Sequence, residues 1–293
     1  MKPAFISSLP LLMLLVGCTP DTPPPLSGQV QILLDRHPDA QVAVAVRDPS
    51  TSTSLDIQSD REFHAASTMK IPVMIEAWRQ VRAGTLAMDQ LLEVRNSFRS
   101  IVDGSEYAIM DDSDDAIYER LGEQMSVSEL IYQMITVSSN LATNLLIEHL
   151  SADSIQHTVN SLDASGMQVL RGVEDLKAFE LGMSNRTNAQ ALARLLDLIA
   201  HGQAVERAAD STMVEVMLDA RFNEMIPAGL PEEVNVAHKT GQITEIHHDA
   251  AIVYPPDAPP YVLVILIEGI ADDSVSASLG SAITRTIHRA LRP

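Results

Sequence analysis

The chain has 293 residues, of which 46% are hydrophobic and 20% charged, and it carries a formal net charge of −19. That length supports one large domain or two small ones with a proper core. The acidic balance and the lack of any basic patch exclude nucleic acid and anionic surfaces as charge-driven partners, and a single cysteine excludes an internal disulfide.

Residues 1–17 read as a leader: Lys2 is a short basic segment, and residues 5–16 form an apolar run too short to span a bilayer. The run ends in Leu15-Val16-Gly17-Cys18, which resembles a bacterial lipobox. That resemblance implies cleavage before Cys18, lipidation of its thiol and an anchored protein on the periplasmic face. In a host with an outer membrane, Thr19 favours sorting there. Residues 18–26, rich in proline, form an extended tether, and residues 27–293 form the folded domain.

A first helix is expected over 27–37. Residues 41–47 alternate, with Val42, Val44 and Val46 on one side, and after the Asp48-Pro49-Ser50-Thr51 turn residues 52–58 return as a second strand. The stretch Ser67-Thr68-Met69-Lys70 then heads an apolar helix running to Val81. Pro72 is tolerated only near a helix start, which puts Ser67 at or beside the N-terminus. Residues 85–204 read as mainly helical, with helical periodicity at 127–135, 141–150 and 189–200 and a loop-rich stretch at 166–188. Short β-branched runs follow at 234–238, 250–254 and 261–268, and a helix over 274–291 closes the chain. The expected fold class is α/β of the α+β type: an antiparallel sheet flanked by helices. The sheet part spans about 27–66 and 205–293, with an all-helical part, about 67–204, inserted between.

Ser67 and Lys70 stand three apart, so on a helix they share a face, and a serine beside a desolvated lysine is a route to an activated nucleophile. Ser138-Ser139-Asn140 and His238-Lys239-Thr240-Gly241 follow in order. With these three motifs the chain resembles the class A serine β-lactamases and their penicillin-recognising relatives, over about residues 28–291. The resemblance implies that Ser67 attacks a β-lactam amide and forms an acyl-enzyme. Lys70 accepts or relays its proton, and Ser138 hands a proton to the leaving nitrogen. Asn140 serves Lys70 and the substrate's side-chain amide. Lys239 and Thr240 receive the substrate carboxylate, Gly241 leaves room along the strand edge, and the N–H groups of Ser67 and Gln242 form the oxyanion hole.

The Glu-x-x-Leu-Asn motif with which class A enzymes clear the acyl-enzyme is absent. The loop reads Leu170-Arg171-Gly172-Val173-Glu174-Asp175-Leu176-Lys177. Glu174 is the expected deacylating base, with Asp175 and Glu180 as lesser candidates. The alternative is that Glu174 pairs with Arg171 and only holds the loop. Asn185 stands where the family often has an aspartate, so hydrogen bonds are expected to anchor this loop.

The acidic run Asp111-Asp112-Ser113-Asp114-Asp115 lacks the glycine and spaced glutamate of a calcium loop and reads as a solvated surface segment. Its neighbours Phe98 or Tyr107 are candidates for a rim over the pocket. His247-His248-Asp249 invites zinc, but adjacent strand residues face opposite sides. No metal or cofactor is expected, and a histidine hydrogen-bonded near the Lys239 strand is the better reading. The expected protein is a monomeric, lipid-anchored serine β-lactamase. The alternatives are a penicillin-binding serine peptidase or esterase, a non-turnover β-lactam sensor, and a silent lipoprotein of the same fold.

Overall fold

The computed structural model describes residues 24–292. The leader, Cys18 and most of the tether therefore lie outside the described residues. Five strands form the main sheet: β1 (Gln41–Asp48), β2 (Thr53–Ile57), β3 (Asn235–Ile243), β4 (Ile246–Tyr254) and β5 (Tyr261–Glu268). Their order is β2-β1-β5-β4-β3, antiparallel throughout. The N-terminal hairpin joins the C-terminal strands through β1 on β5, from Gln41↔Glu268 to Arg47↔Val262. One sheet is thus assembled from both ends of the chain, and β3, which carries Lys239, is an edge.

The helices are α1 (Leu26–Leu34), α2 (Lys70–Ala83), α3 (Val127–Thr136), α4 (Asn140–Leu150), α5 (Ala152–Ser161), α6 (Leu176–Glu180), α7 (Ala189–Ala200), α8 (Arg207–Leu218) and α9 (Asp273–Leu291). The first helix is shorter than the 27–37 expected, starting straight after Pro25 and ending before Asp35. The edge strand is longer than expected, so Lys239-Thr240-Gly241 lies within it.

Both faces of the sheet are covered, which is why its central strands carry unbroken apolar runs, Val42 to Val46 in β1 and Tyr261 to Ile267 in β5. Val42, Val44 and Val46 join Leu263, Ile265 and Ile267 in a core with α1 and α9. Ala43, Ala45, Val264 and Leu266 belong to the larger core shared with the helical body. The small alanines on that face let α7 lie across β1, β5 and β4. Helix α2 is buried from Lys70 to Ala77 and packs against α3, α4 and α5. It stops at Gly84, whose φ of 73° is the left-handed cap that glycine supplies without strain. Side-chain caps start the other site helices: Ser126 and Glu129 form a capping box on α3, and Ser139 Oγ accepts from Ala142 N on α4.

Candidate active site

Ser67 lies in a 3₁₀ turn, Ala66–Met69, that runs directly into α2, so it stands beside the helix start. The turn is entered through Ala66 at φ 44°, a left-handed conformation that a residue with a Cβ rarely adopts. Lys70 opens the α-helix proper and is fully buried.

Ser138 is the meeting point of the site. It too has a positive φ, 60°, in the short link between α3 and α4. Lys70 Nζ donates to its carbonyl at 2.5 Å and its hydroxyl at 3.1 Å, and to Asn140 Oδ1 at 2.9 Å. Lys239 Nζ reaches the same Ser138 hydroxyl at 3.0 Å and also the Thr240 carbonyl at 2.9 Å. Lys70 and Lys239 stand 68 and 101 residues from Ser138 in sequence, and the fold brings all three within hydrogen-bond reach.

Two ammonium groups sharing one buried site disfavour charge on each. Burial pushes Lys70 well below the usual lysine range, and the charge of Lys239 adds to this against a weaker pull from Asp112. Burial pushes Lys239 down to about 7, opposed by Asp249. Lys70 has three acceptors, the full complement of an ammonium. As a neutral amine it gives up one of them and gains a lone pair with which to take a proton.

The acidic run is solvated only in part: Asp111, Ser113 and Asp115 are exposed, while Asp112 and Asp114 turn inward. Asp112 accepts from Asn140 N at 2.8 Å and Leu141 N at 2.9 Å, capping α4 from 28 residues away in sequence. Asp114 is buried. Asn140 Nδ2 donates to the Asp111 carbonyl at 3.0 Å, so the amide expected to meet the substrate's side chain is held by this loop. Neither Phe98 nor Tyr107 forms the rim. Phe98 is buried in the core, and Tyr107 OH accepts from Asn144 Nδ2 at 3.3 Å. Asp111, Asp112 and Ser113 take that place. With Ser67, Ser138, Asn140, Phe222, Thr240 and Gln242 they line a cleft of about 240 Å³.

Gly241 has a neighbour other than the ligand expected for it. A Cβ there would stand 3.0 Å from Ser67 N and 3.1 Å from Ala66 Cβ and Thr68 N, so this glycine lets the edge strand approach the turn that carries Ser67. Ser67 and Gln242, the two expected oxyanion donors, both line the cleft.

Glu174 is placed differently from the residues of the cleft. Its carboxylate accepts from Met110 N at 2.7 Å and Asp111 N at 3.2 Å, and its φ is 59°. It does not line the cleft. Nor does it pair with Arg171, whose guanidinium donates to the carbonyls of Met183 and Gly172. Asp175 is buried and holds Ser100 Oγ at 2.8 Å and Ile101 N at 2.9 Å, while Glu180 is exposed at the end of α6. Lys177 turns away to Asp103 and Ser105. This loop is therefore stitched to residues 100–111 by Glu174, Asp175 and Lys177. At its end Asn185 Oδ1 accepts from Leu170 N at 2.8 Å and Nδ2 donates to the Arg171 carbonyl at 2.9 Å, the hydrogen-bonded anchor expected in place of a salt bridge.

Asn144 escaped the sequence reading. Its amide clasps the backbone of Val173, accepting from N at 2.7 Å and donating to O at 3.0 Å. The signal was available, since Asn144 stands four residues after Asn140 on one helix face. Nothing local marked Asp112 or Phe222.

Among the described residues no three or more His, Cys, Asp or Glu side chains come together in a group that could hold a metal ion. His247 Nδ1 lies 2.9 Å from Ser276 Oγ, and Asp249 Oδ1 lies 2.9 Å from His238 Nδ1. His248 faces the Ser67 turn, with Nε2 on the His64 carbonyl at 3.0 Å.

A family model described as the β-lactamase enzyme family matches residues 25–291. The chain belongs to that family. A β-lactamase of Streptomyces lavendulae is 23% identical over 282 residues, covering 93% of this chain and 88% of the relative. Among solved structures, PBP-A superposes with a TM-score of 0.80 at 25% identity, over 91% of this chain and 95% of that one. A PBP-A mutant in an acyl-enzyme complex with penicillin G superposes equally well. The β-lactamase of Sphaerobacter thermophilus gives a TM-score of 0.77 at 22% identity, over 90% of this chain and 95% of that one, a likeness of fold.

Proposed function

We propose that this family member is a serine hydrolase of β-lactam amides that works through an acyl-enzyme on Ser67. The observation that carries the reading is the convergence of two buried lysines on the Ser138 hydroxyl, beside a nucleophile turn and an edge strand. Ser67 Oγ attacks the lactam carbonyl, and its proton passes to neutral Lys70. The C–N bond breaks, and the ring nitrogen takes its proton from Ser138 Oγ, which is resupplied through Lys70. Thr240 and the ammonium of Lys239 attract the substrate carboxylate, and the N–H groups of Ser67 and Gln242 receive the developing oxyanion. Water then cleaves the ester and restores Ser67. Production of such an enzyme in a susceptible bacterium raises its β-lactam resistance.

A second reading has its own support. Glu174 is engaged by the amides of Met110 and Asp111, and the loop backbone clasped by Asn144 belongs to Val173. A chain arranged in this way acylates readily and clears the ester slowly, as a penicillin-binding peptidase or sensor does. We further propose, from Leu15-Val16-Gly17-Cys18, a monomer tethered by lipid on the periplasmic face.

Mixing the purified domain with a chromogenic cephalosporin separates these readings. Sustained product formation supports the hydrolase, and one stoichiometric burst supports the slow acyl-enzyme. An absence of both product and Ser67 adduct by mass spectrometry overturns the two together.

A further inference from the structure

The nucleophile turn has a support that the three motifs do not include. His64 Nδ1 accepts from Ala66 N at 3.0 Å, a side chain closing on the backbone two residues ahead. Asparagine and aspartate make the same closure in Asx-turns. The bond lies on the one residue of the turn with a left-handed φ, 44°, directly before Ser67. A buried N–H in such a position needs an acceptor, and the His64 ring supplies it.

His64 is itself held on several sides. Its carbonyl lies 3.0 Å from His248 Nε2. His248 Nδ1 accepts from Ile267 N at 3.2 Å, so its proton is on Nε2 and it donates to His64. The backbone of His64 pairs with Arg186, and Phe179 packs edge-on to its ring at 6.0 Å between centroids. The next residue, Ala65, donates to the Asn185 carbonyl at 2.9 Å. Accepting from Ala66 requires a neutral ring, and burial together with the charges of Arg171 and Arg186 keeps it so, down to about pH 4.

On the other side, Gly241 of the edge strand abuts Ser67 N and Ala66 Cβ. The turn is therefore clamped between β3 and the His64 ring, and its freedom to shift is the freedom of Ser67 N and Oγ to leave their places. We propose that His64 is a positioning residue for acyl transfer, its Nδ1 holding Ala66 in the left-handed conformation that aims Ser67 and its N–H. This rests on the proposed acylation of Ser67.

The test is pre-steady-state acylation by a chromogenic β-lactam, resolved into the limiting acylation rate and the dissociation constant of the encounter complex. His64→Leu removes the acceptor. The acylation rate is expected to fall about tenfold to a hundredfold, the cost of a displaced reacting group, with the dissociation constant within twofold. His64→Asn places an amide oxygen where Nδ1 was and restores the rate to within about threefold. His64→Gln, whose amide reaches the Nε2 position instead, does not restore it. An unchanged rate in His64→Leu, or equal defects in the Asn and Gln variants, overturns the proposal. If the leucine variant does not fold, the Asn and Gln comparison decides alone. A wild-type chain that fails to acylate overturns the functional reading, a result distinguishable from an effect confined to His64 variants.

Discussion

Lys239 donates to the hydroxyl oxygen of Ser138 at 3.0 Å. Lys70 approaches the same oxygen at 3.1 Å. A hydroxyl has two lone pairs and one proton, so two N–H donors fill its acceptor capacity and direct the proton outward. Ser67 and Ser138 line one cleft, so in the proposed acylation that proton is the one available to the leaving atom. Replacing Ser138 with alanine removes that proton. Ser67 acylation, followed by stopped-flow with a chromogenic cephalosporin, is expected to slow about 10²–10⁴-fold. A loss under tenfold would assign the leaving-group proton elsewhere.

Activity should depend on pH from both sides. Lys70 must be neutral to take the Ser67 proton, and its lowered pKa sets the acid limb. Lys239 must be charged to hold a carboxylate, and in the free enzyme it loses its charge above about 7. The kcat/KM profile is therefore a bell whose alkaline limb falls from about pH 7. Lys239→Arg keeps the charge at all working pH values, so its alkaline limb moves above about pH 9 whatever its absolute rate. A limb unmoved by that change would belong to another group.

Glu174 presents a choice that two substitutions resolve. As a clamp on Met110 N and Asp111 N it uses both carboxylate oxygens, one for each N–H, of which glutamine supplies one and alanine neither. As a base it needs the carboxylate, which both variants lack. A Glu174→Gln deacylation rate lying between those of the wild type and Glu174→Ala identifies the clamp. Acyl-enzyme accumulating in both, seen by mass spectrometry, identifies the base.

The buried lysines stabilise the reaction at a cost to the fold. An unfolded Lys239 keeps its proton to about pH 10.4. The folded one releases it near 7. Between those values the unfolded chain binds more protons, so this group's contribution to stability improves as pH rises through the window. Below pH 7 the penalty is present in full. Lys239→Met is therefore expected to raise stability by about 1–4 kcal/mol at pH 6 in urea unfolding, with a smaller gain at pH 9 and no acylation. A destabilised variant at pH 6 would show that the bonds to Ser138 and Thr240 outweigh desolvation.

The elements were legible where local pattern and local capping agree. Val42, Val44 and Val46 alternate because one face of β1 meets α1 and α9. Ser67 and Lys70 could be placed beside a helix start because Pro72 limits where that helix begins. Gly241 was legible as a close approach, but its partner was not, because nothing in the strand says that the Ser67 turn lies against it. The acidic run misled, since a string of aspartates looks solvated until a distant helix N-terminus supplies the N–H groups that Asp112 accepts.

The amino-acid sequence by itself determined the chemical inventory: a serine and a lysine one helical turn apart, a second serine, and a lysine on a β-strand, each motif set by short-range spacing. The tertiary structure alone decided how those groups are arranged. Burial depends on what packs around a side chain, so only the fold places two lysines on one hydroxyl and lowers the pKa of both. Long-range closure likewise gives the Glu174 carboxylate to Met110 and Asp111, and sets His248 on the His64 carbonyl beside the turn that carries Ser67. Such contacts join residues tens to hundreds of positions apart, where spacing along the chain carries no signal.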